Sequence, residues 1–199
     1  PLRTNTIDND GYNAISLGKS REAMRAFWIQ MKVNEQLTKG LRVKDMPDEW
    51  FEVPSDEAMK NSMVATIGVY AANRLMDQHR FDEAETLMNH LLDIESGMVA
   101  LHRNLIICDL VYLELIGQNR SDRLETLYSK ELKKFIKTMK TFPSVIRTEY
   151  AYNLLKEHDP ESAAKSMAAF ERIDATYPYP NDINSARELI RIVDDKVSV

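Results

Sequence analysis

Four histidines, one cysteine and six scattered glycines define the chemistry open to this 199-residue chain. A metal-assisted hydrolase needs clustered His, Cys, Asp or Glu ligands. His79, His90, His102 and His158 include no H-x-x-x-H pair and no H-E-x-x-H, so the usual zinc peptidase helix cannot be built from them. His79 and His158 fall in expected inter-helix turns and read as solvated. His90 and Asp93, three apart, read as an exposed polar pair. Cys108 shares an apolar face with Leu105 and Tyr112 and has no histidine in the adjacent turns to activate it, so it reads as a core residue. Serine-nucleophile and phosphate-loop patterns of the G-x-S-x-G, G-x-x-x-x-G-K-[ST] and G-x-G-x-x-G types are absent. No catalytic, cofactor or metal residue is expected in this chain.

Composition narrows the classes further. Apolar residues make up 44 % of the chain, enough for a real core. One cysteine allows no internal disulfide and favours a reducing, cytoplasmic setting. A net charge of −5 and a pI near 5.5 argue against nucleic acid as a partner, which requires clustered Lys and Arg. The longest charge-free stretch, 61–73, is too short and too polar to span a bilayer. The chain opens Pro1-Leu2-Arg3 without an initiator Met or an apolar signal core, and reads as a piece of something longer.

The elements that would position any site are helices throughout, with no strand alternation. Residues 1–18 read as an extended lead-in. From about Lys19, Met24, Phe27, Trp28 and Met31 form one apolar stripe, and Ala26, Ile29, Val33 and Leu37 a second beside it, which predicts a helix packed on two sides. Gly40 is its expected C-terminal cap. The segment 41–54 has no period and reads as a structured connector with Trp50 and Phe51 pinned to the core. Helices are then predicted over about 55–77, from about 81 with Ala84, Met88 and Leu91, and through Leu101–Leu115 positions up to Gly117. A fourth carries Leu124, Tyr128, Leu132, Phe135 and Met139, and a fifth starts at Pro143. Asp159 is the expected N-cap of a sixth, and Asp182 opens the last.

These helices recur as pairs. Ala84, Leu124 and Ala163 are 40 and 39 residues apart, and twelve places before them stand Ala72, Tyr112 and Ala151. The segments 79–95 and 158–174 resemble the second half of a tetratricopeptide repeat, with Ala72, Ala84 and Met88, then Ala151, Ala163 and Met167, at its small and large positions. Tyr112 departs from that pattern. The expected fold is all-α: stacked antiparallel hairpins in a tetratricopeptide-like superhelix (about 55–97, 98–142 and 143–178), with an extra N-terminal helix within 1–54 and a capping helix over 182–197. Such stacks bind protein or peptide partners. In this register Asn73, Asp77, Asp109, Tyr152 and Lys156 are expected to face a concave partner-binding groove.

Two surface features have alternative readings. Met24, Met31, Met59, Met63, Met88, Met139 and Met167 fall on apolar helix faces and read as core filling rather than as an adaptable peptide surface. Lys130, Lys133, Lys134, Lys137 and Lys140 read as a solvated face interleaved with core Leu132, Phe135 and Met139. The sharper alternative is a polybasic segment near acidic lipid headgroups, where each charge gains about 1 kcal/mol.

The N-terminal third resembles the region after the membrane core of bacterial site-2-type zinc metalloproteases. The resemblance rests on Asn9-Asp10-Gly11, on Phe27 and Trp28, and on Gly40, Arg42, Asp45, Met46 and Pro47, and covers about the first fifty residues. It implies that residues 1–54 are a post-membrane segment and 55–199 a cytoplasmic helical-repeat region of a membrane-bound parent. The zinc, the H-E-x-x-H and any contact with the membrane would belong to that parent. Asp10 is not expected to be a zinc ligand, because its neighbours over 4–13 are mostly polar. The expected function is therefore a non-catalytic protein-interaction or regulatory domain. The alternatives are a stand-alone tetratricopeptide-like scaffold or peptide sensor, and an enzyme of unrecognised type.

Overall fold

Small side chains decide where these helices meet. The computed structural model describes residues 20–197, which divide into two units, the first ending at Arg103 and the second starting at Asn104. Among the described residues there are nine α-helices and no strand. The Asn9-Asp10-Gly11 turn and the rest of the lead-in lie outside them.

In the first unit, α1 (Arg21–Thr38) starts at Ser20, whose Oγ accepts from the Ala23 amide at 3.2 Å. It buries Ala23, Ala26, Ile29 and Val33 against α2 (Ser62–Asp77). Gly40, at φ 81°, ends it as the spacing predicts: the Leu41 amide reaches back to the Gln36 carbonyl at 3.0 Å, a left-handed closure that glycine adopts without steric cost. The connector forms short 3₁₀ turns at Val43–Asp45, Asp48–Trp50 and Ala58–Lys60. Its Phe51 is buried and Trp50 half-buried.

The second helix starts later than its apolar spacing predicts, at Ser62 rather than near 55. Asn61 is the reason: its backbone is extended and its Oδ1 accepts from the Met63 and Val64 amides, which fixes the first turn. The α2 helix forms a tight hairpin with α3 (Phe81–Asp93), in which Ala72 and Ala84 are fully buried. Gly97 then packs its backbone on the 58–60 turn, its amide donating to the Met59 carbonyl at 2.8 Å. A Cβ there would stand 2.2 Å from the Lys60 carbonyl oxygen, so only glycine fits.

The division between the units falls within α4 (Ala100–Ile116), whose C-terminal half is buried all round. The predicted fourth helix is in fact two, α5 (Ser121–Leu127) and α6 (Lys130–Thr138). Ser129 breaks them apart by capping α6, its Oγ accepting from the Leu132 amide at 3.2 Å. Next come α7 (Pro143–Leu155) and α8 (Pro160–Asp174), the most extensively packed hairpin of this unit, with Asp159 capping α8 as expected. The last helix, α9 (Pro180–Val197), packs on α7. The Tyr112 hydroxyl donates to the Leu189 carbonyl at 2.8 Å.

Left-handed backbone recurs at a regular spacing. His79, Asn119 and His158 are the non-glycine residues at positive φ among those described, and they too are 40 and 39 residues apart. They turn the chain just after α2, α4 and α7 respectively.

The second unit holds a buried ion pair. Asp109 on α4 and Arg147 on α7 are bonded through Oδ1 and Nη2, and the guanidinium lies 4.3 Å from the Tyr112 ring centroid. Burial pushes the Asp109 carboxyl up, outweighing the pull of Arg147. Removing one member strands the other polar group in the core. Asp109→Ala is expected to lose about 3–5 kcal/mol in urea unfolding, while Asp109→Leu with Arg147→Met recovers most of that loss.

Glu114 closes the following turn, accepting from the Arg120 amide at 2.7 Å and from its Nη2 at 2.8 Å. The Arg120 contact, reinforced by Arg123, lowers its pKa from an ordinary value of 4.5. A depressed carboxyl stabilises the fold above its unfolded pKa and loses that contribution as pH falls through the folded one. The melting temperature is therefore expected to fall on acidification from about pH 5 to about pH 3, and to fall less steeply in Glu114→Gln.

Candidate functional site

The α1 helix has two apolar faces, and only one is used for packing. The face built from Ala23, Ala26, Ile29 and Val33 is buried, whereas Met24, Phe27, Trp28 and Met31 are 50, 42, 50 and 58 % exposed. The expectation of a helix packed on both sides is corrected here. Ala23 and Ala26 are short enough to bring the α1 backbone close to α2, and this turns the bulky stripe outward. Met24 and Met31 accordingly do not fill the core, although Met59 and Met88 do.

The stripe is backed by the connector. Trp28 meets Trp50 edge to face, with ring centroids 5.8 Å apart. Arg25 Nη2 donates to the Glu49 carbonyl at 2.6 Å and lies 3.6 Å from Glu52. The connector is in turn fastened to the end of α2. Arg42 forms a two-pronged pair with Asp77, and the Lys44 amide donates to the same carboxylate at 3.2 Å. Arg74 pairs with Asp48 and lies 4.8 Å from the Phe51 ring centroid.

Beside the stripe, α1, the connector and α2 enclose a cleft of about 220 Å³. Ala26, Ile29, Val64 and Ile67 line its apolar part, and Arg25 and Glu52 its charged rim. Small-molecule sites occupy roughly 300–1,000 Å³. This cleft is better matched to a single apolar side chain of a protein partner.

The five residues expected at a groove are placed differently. Asn73 is exposed on α2. Asp77, 5 % exposed, is committed to Arg42, and Asp109, 6 % exposed, to Arg147; both serve the fold and neither faces solvent. Tyr152 stacks on Tyr128 with centroids 3.7 Å apart, and Lys156 Nζ bonds Ser121 Oγ at 2.7 Å. Burial, joined by the Glu157 carboxylate, pushes the Tyr152 phenol up to about 12. Asn73 and Asp77 belong to the first unit and the other three to the second.

The residues considered for catalysis are built into the fold or exposed singly. Cys108 is fully buried, and burial pushes its thiol well above the ordinary range. His90 pairs with Asp56 at 2.8 Å rather than with Asp93. His79 stacks on Phe81 in its turn, and His158 is exposed. Burial lowers the His102 pKa. Among the described residues no group of three or more His, Cys, Asp or Glu side chains is placed to hold a metal ion. No helix among them is long and apolar enough to cross a membrane.

The α1 stripe was visible in the sequence as an apolar run, but its outward direction was not. The available signal was the pair of alanines on the adjoining stripe. No protein-family model, curated protein or solved structure matches the chain.

Proposed function

We propose that the chain is a helical protein-interaction domain, non-catalytic in itself, that docks a protein or peptide partner through the outer face of α1. The single observation behind this reading is the exposed stripe of Met24, Phe27, Trp28 and Met31. Six of the seven large apolar side chains exposed among the described residues belong to the first unit, and four of them lie on this one helix. Contiguous exposed apolar surface of this kind marks interaction sites, and Trp with Met is a typical anchor composition. The partner would lay an apolar helix or strand along the stripe and insert one side chain into the adjoining cleft. The paired helices and the 40- and 39-residue spacing support a tetratricopeptide-like stack as the scaffold behind it.

The wider setting we propose is a cytoplasmic domain of a site-2-type zinc metallopeptidase. Its support is the resemblance of Phe27, Trp28, Gly40, Arg42, Asp45, Met46 and Pro47 to that family's post-membrane segment. An upstream reading frame encoding H-E-x-x-H within apolar spans would bear this out. A start codon directly before Pro1 would leave a stand-alone scaffold.

The docking face can be tested with peptides selected for binding to the chain from a random library. Binders are expected to quench Trp28 fluorescence and to lose about thirtyfold or more in affinity on Trp28→Ala or Phe27→Ala, the cost of a central interface anchor. Both side chains are half exposed, so folding should survive, with helical circular dichroism as the control. Selected peptides that bind the variants unchanged, or peptidase turnover by the zinc-loaded chain, would sink the reading.

A further inference from the structure

A second surface feature lies in the second unit. The α6 helix has a face of one charge only: Lys130, Lys133, Lys134 and Lys137 occur at i, i+3, i+4 and i+7, and all four are exposed. Lys140, also exposed, follows the helix end. On the opposite side Leu132 and Ile136 are buried, so the lysine face is held outward and cannot roll inward.

This arrangement is unfavourable for an isolated helix. Like charges three and four apart repel one another, and Lys130 in the first turn opposes the helix dipole. Four other lysines are neutralised locally: Lys32 and Lys39 both bond Glu35, Lys60 bonds Glu57 and Lys165 bonds Glu161. None of the five lysines between 130 and 140 has an ion pair to a carboxylate of the described residues. Lys133 Nζ lies 5.2 Å from the Tyr128 ring centroid. Glu131, the acidic residue of α6, lies off the lysine face.

We propose that the lysine face of α6 is a docking surface for a lipid bilayer with anionic headgroups. The composition favours a diffuse anionic surface over a shaped ligand, because all five cations are lysines. Ammonium groups act as point charges, whereas geometric reading of a carboxylate or phosphate group favours the arginine fork. From Lys130 to Lys137 the face runs about 10 Å along one side of a straight helix. Among the described residues no large apolar side chain of 121–142 is exposed to anchor a peptide beside it, and adsorption to headgroups needs none. With Leu132 and Ile136 fixed in the core, α6 adsorbs without inserting. This surface is independent of the α1 stripe, which belongs to the other unit.

Co-sedimentation of the 199-residue chain tests this with two kinds of vesicle, pure phosphatidylcholine and phosphatidylcholine with about a third phosphatidylglycerol. Binding is expected only to the anionic vesicles, weakening steeply between about 0.05 M and about 0.3 M salt. Each Lys→Gln substitution at 130, 133, 134 and 137 should cost about fivefold in partition. The fourfold variant is expected to lose binding while keeping its circular dichroism, since the replaced side chains are exposed. Equal binding to neutral vesicles, or binding that survives the fourfold change and is lost in Trp28→Ala, would assign membrane contact to α1 and overturn the proposal. So would failure to bind anionic vesicles while polyglutamate or duplex DNA is retained at the same salt.

Discussion

The carboxylate of Asp77 holds the first unit in its working shape. It sits at the C-terminal end of α2 and takes up two prongs of Arg42 and the amide of Lys44, so one buried charge fastens both side chain and backbone of an irregular segment. That segment has short 3₁₀ turns and little regular hydrogen bonding of its own. Arg74, one turn earlier on the same helix, secures it through Asp48, the Lys44 carbonyl and the face of Phe51. With the connector fixed, Trp50 stands against Trp28 and the outer face of α1 has a firm backing. A buried charge without such partners would be a severe penalty. Here the pairing converts that penalty into positional specificity.

Asp109 and Arg147 play the corresponding part in the second unit, between α4 and α7. Around them the Thr148 hydroxyl donates to the Cys108 carbonyl at 3.0 Å, and Tyr112 reaches the Leu189 carbonyl. The unit therefore has a polar seam inside an apolar core, and the lone thiol is enclosed beside it. The two acidic residues that could have marked a binding groove are thus the residues each unit spends on internal pairing. The surfaces left for partners are of opposite character, an apolar aromatic stripe on α1 and a lysine face on α6.

Much of the helical order was legible in the residues. Gly40, the turn at 78–80, Gly117 and the Asp159-Pro160 start all lie where their local chemistry puts them, because caps and left-handed closures act over a few residues. The 40- and 39-residue spacing was equally readable, and reappears in His79, Asn119 and His158. Two boundaries were not legible from apolar spacing. Asn61 and Ser129 each satisfy the first amides of a helix with a side-chain oxygen, and so start a new helix within a run that apolar periodicity alone would join. The candidate site was legible only in part. The composition of the α1 stripe could be read, but its exposure could not.

The sequence by itself determined the helical class, the turns between helices and the charge of the α6 face, since each follows from residues within one or two helical turns. Tertiary structure alone decided which apolar stripe of α1 is buried and which carboxylates are internal. Both outcomes depend on partners distant in the chain: Ala23 and Ala26 against α2, Asp77 with Arg42 thirty-five residues away, and Asp109 with Arg147 thirty-eight away. Periodicity shows that a face is apolar. Whether that face meets another helix or the solvent depends on how closely the backbones approach, and here the alanines decide it.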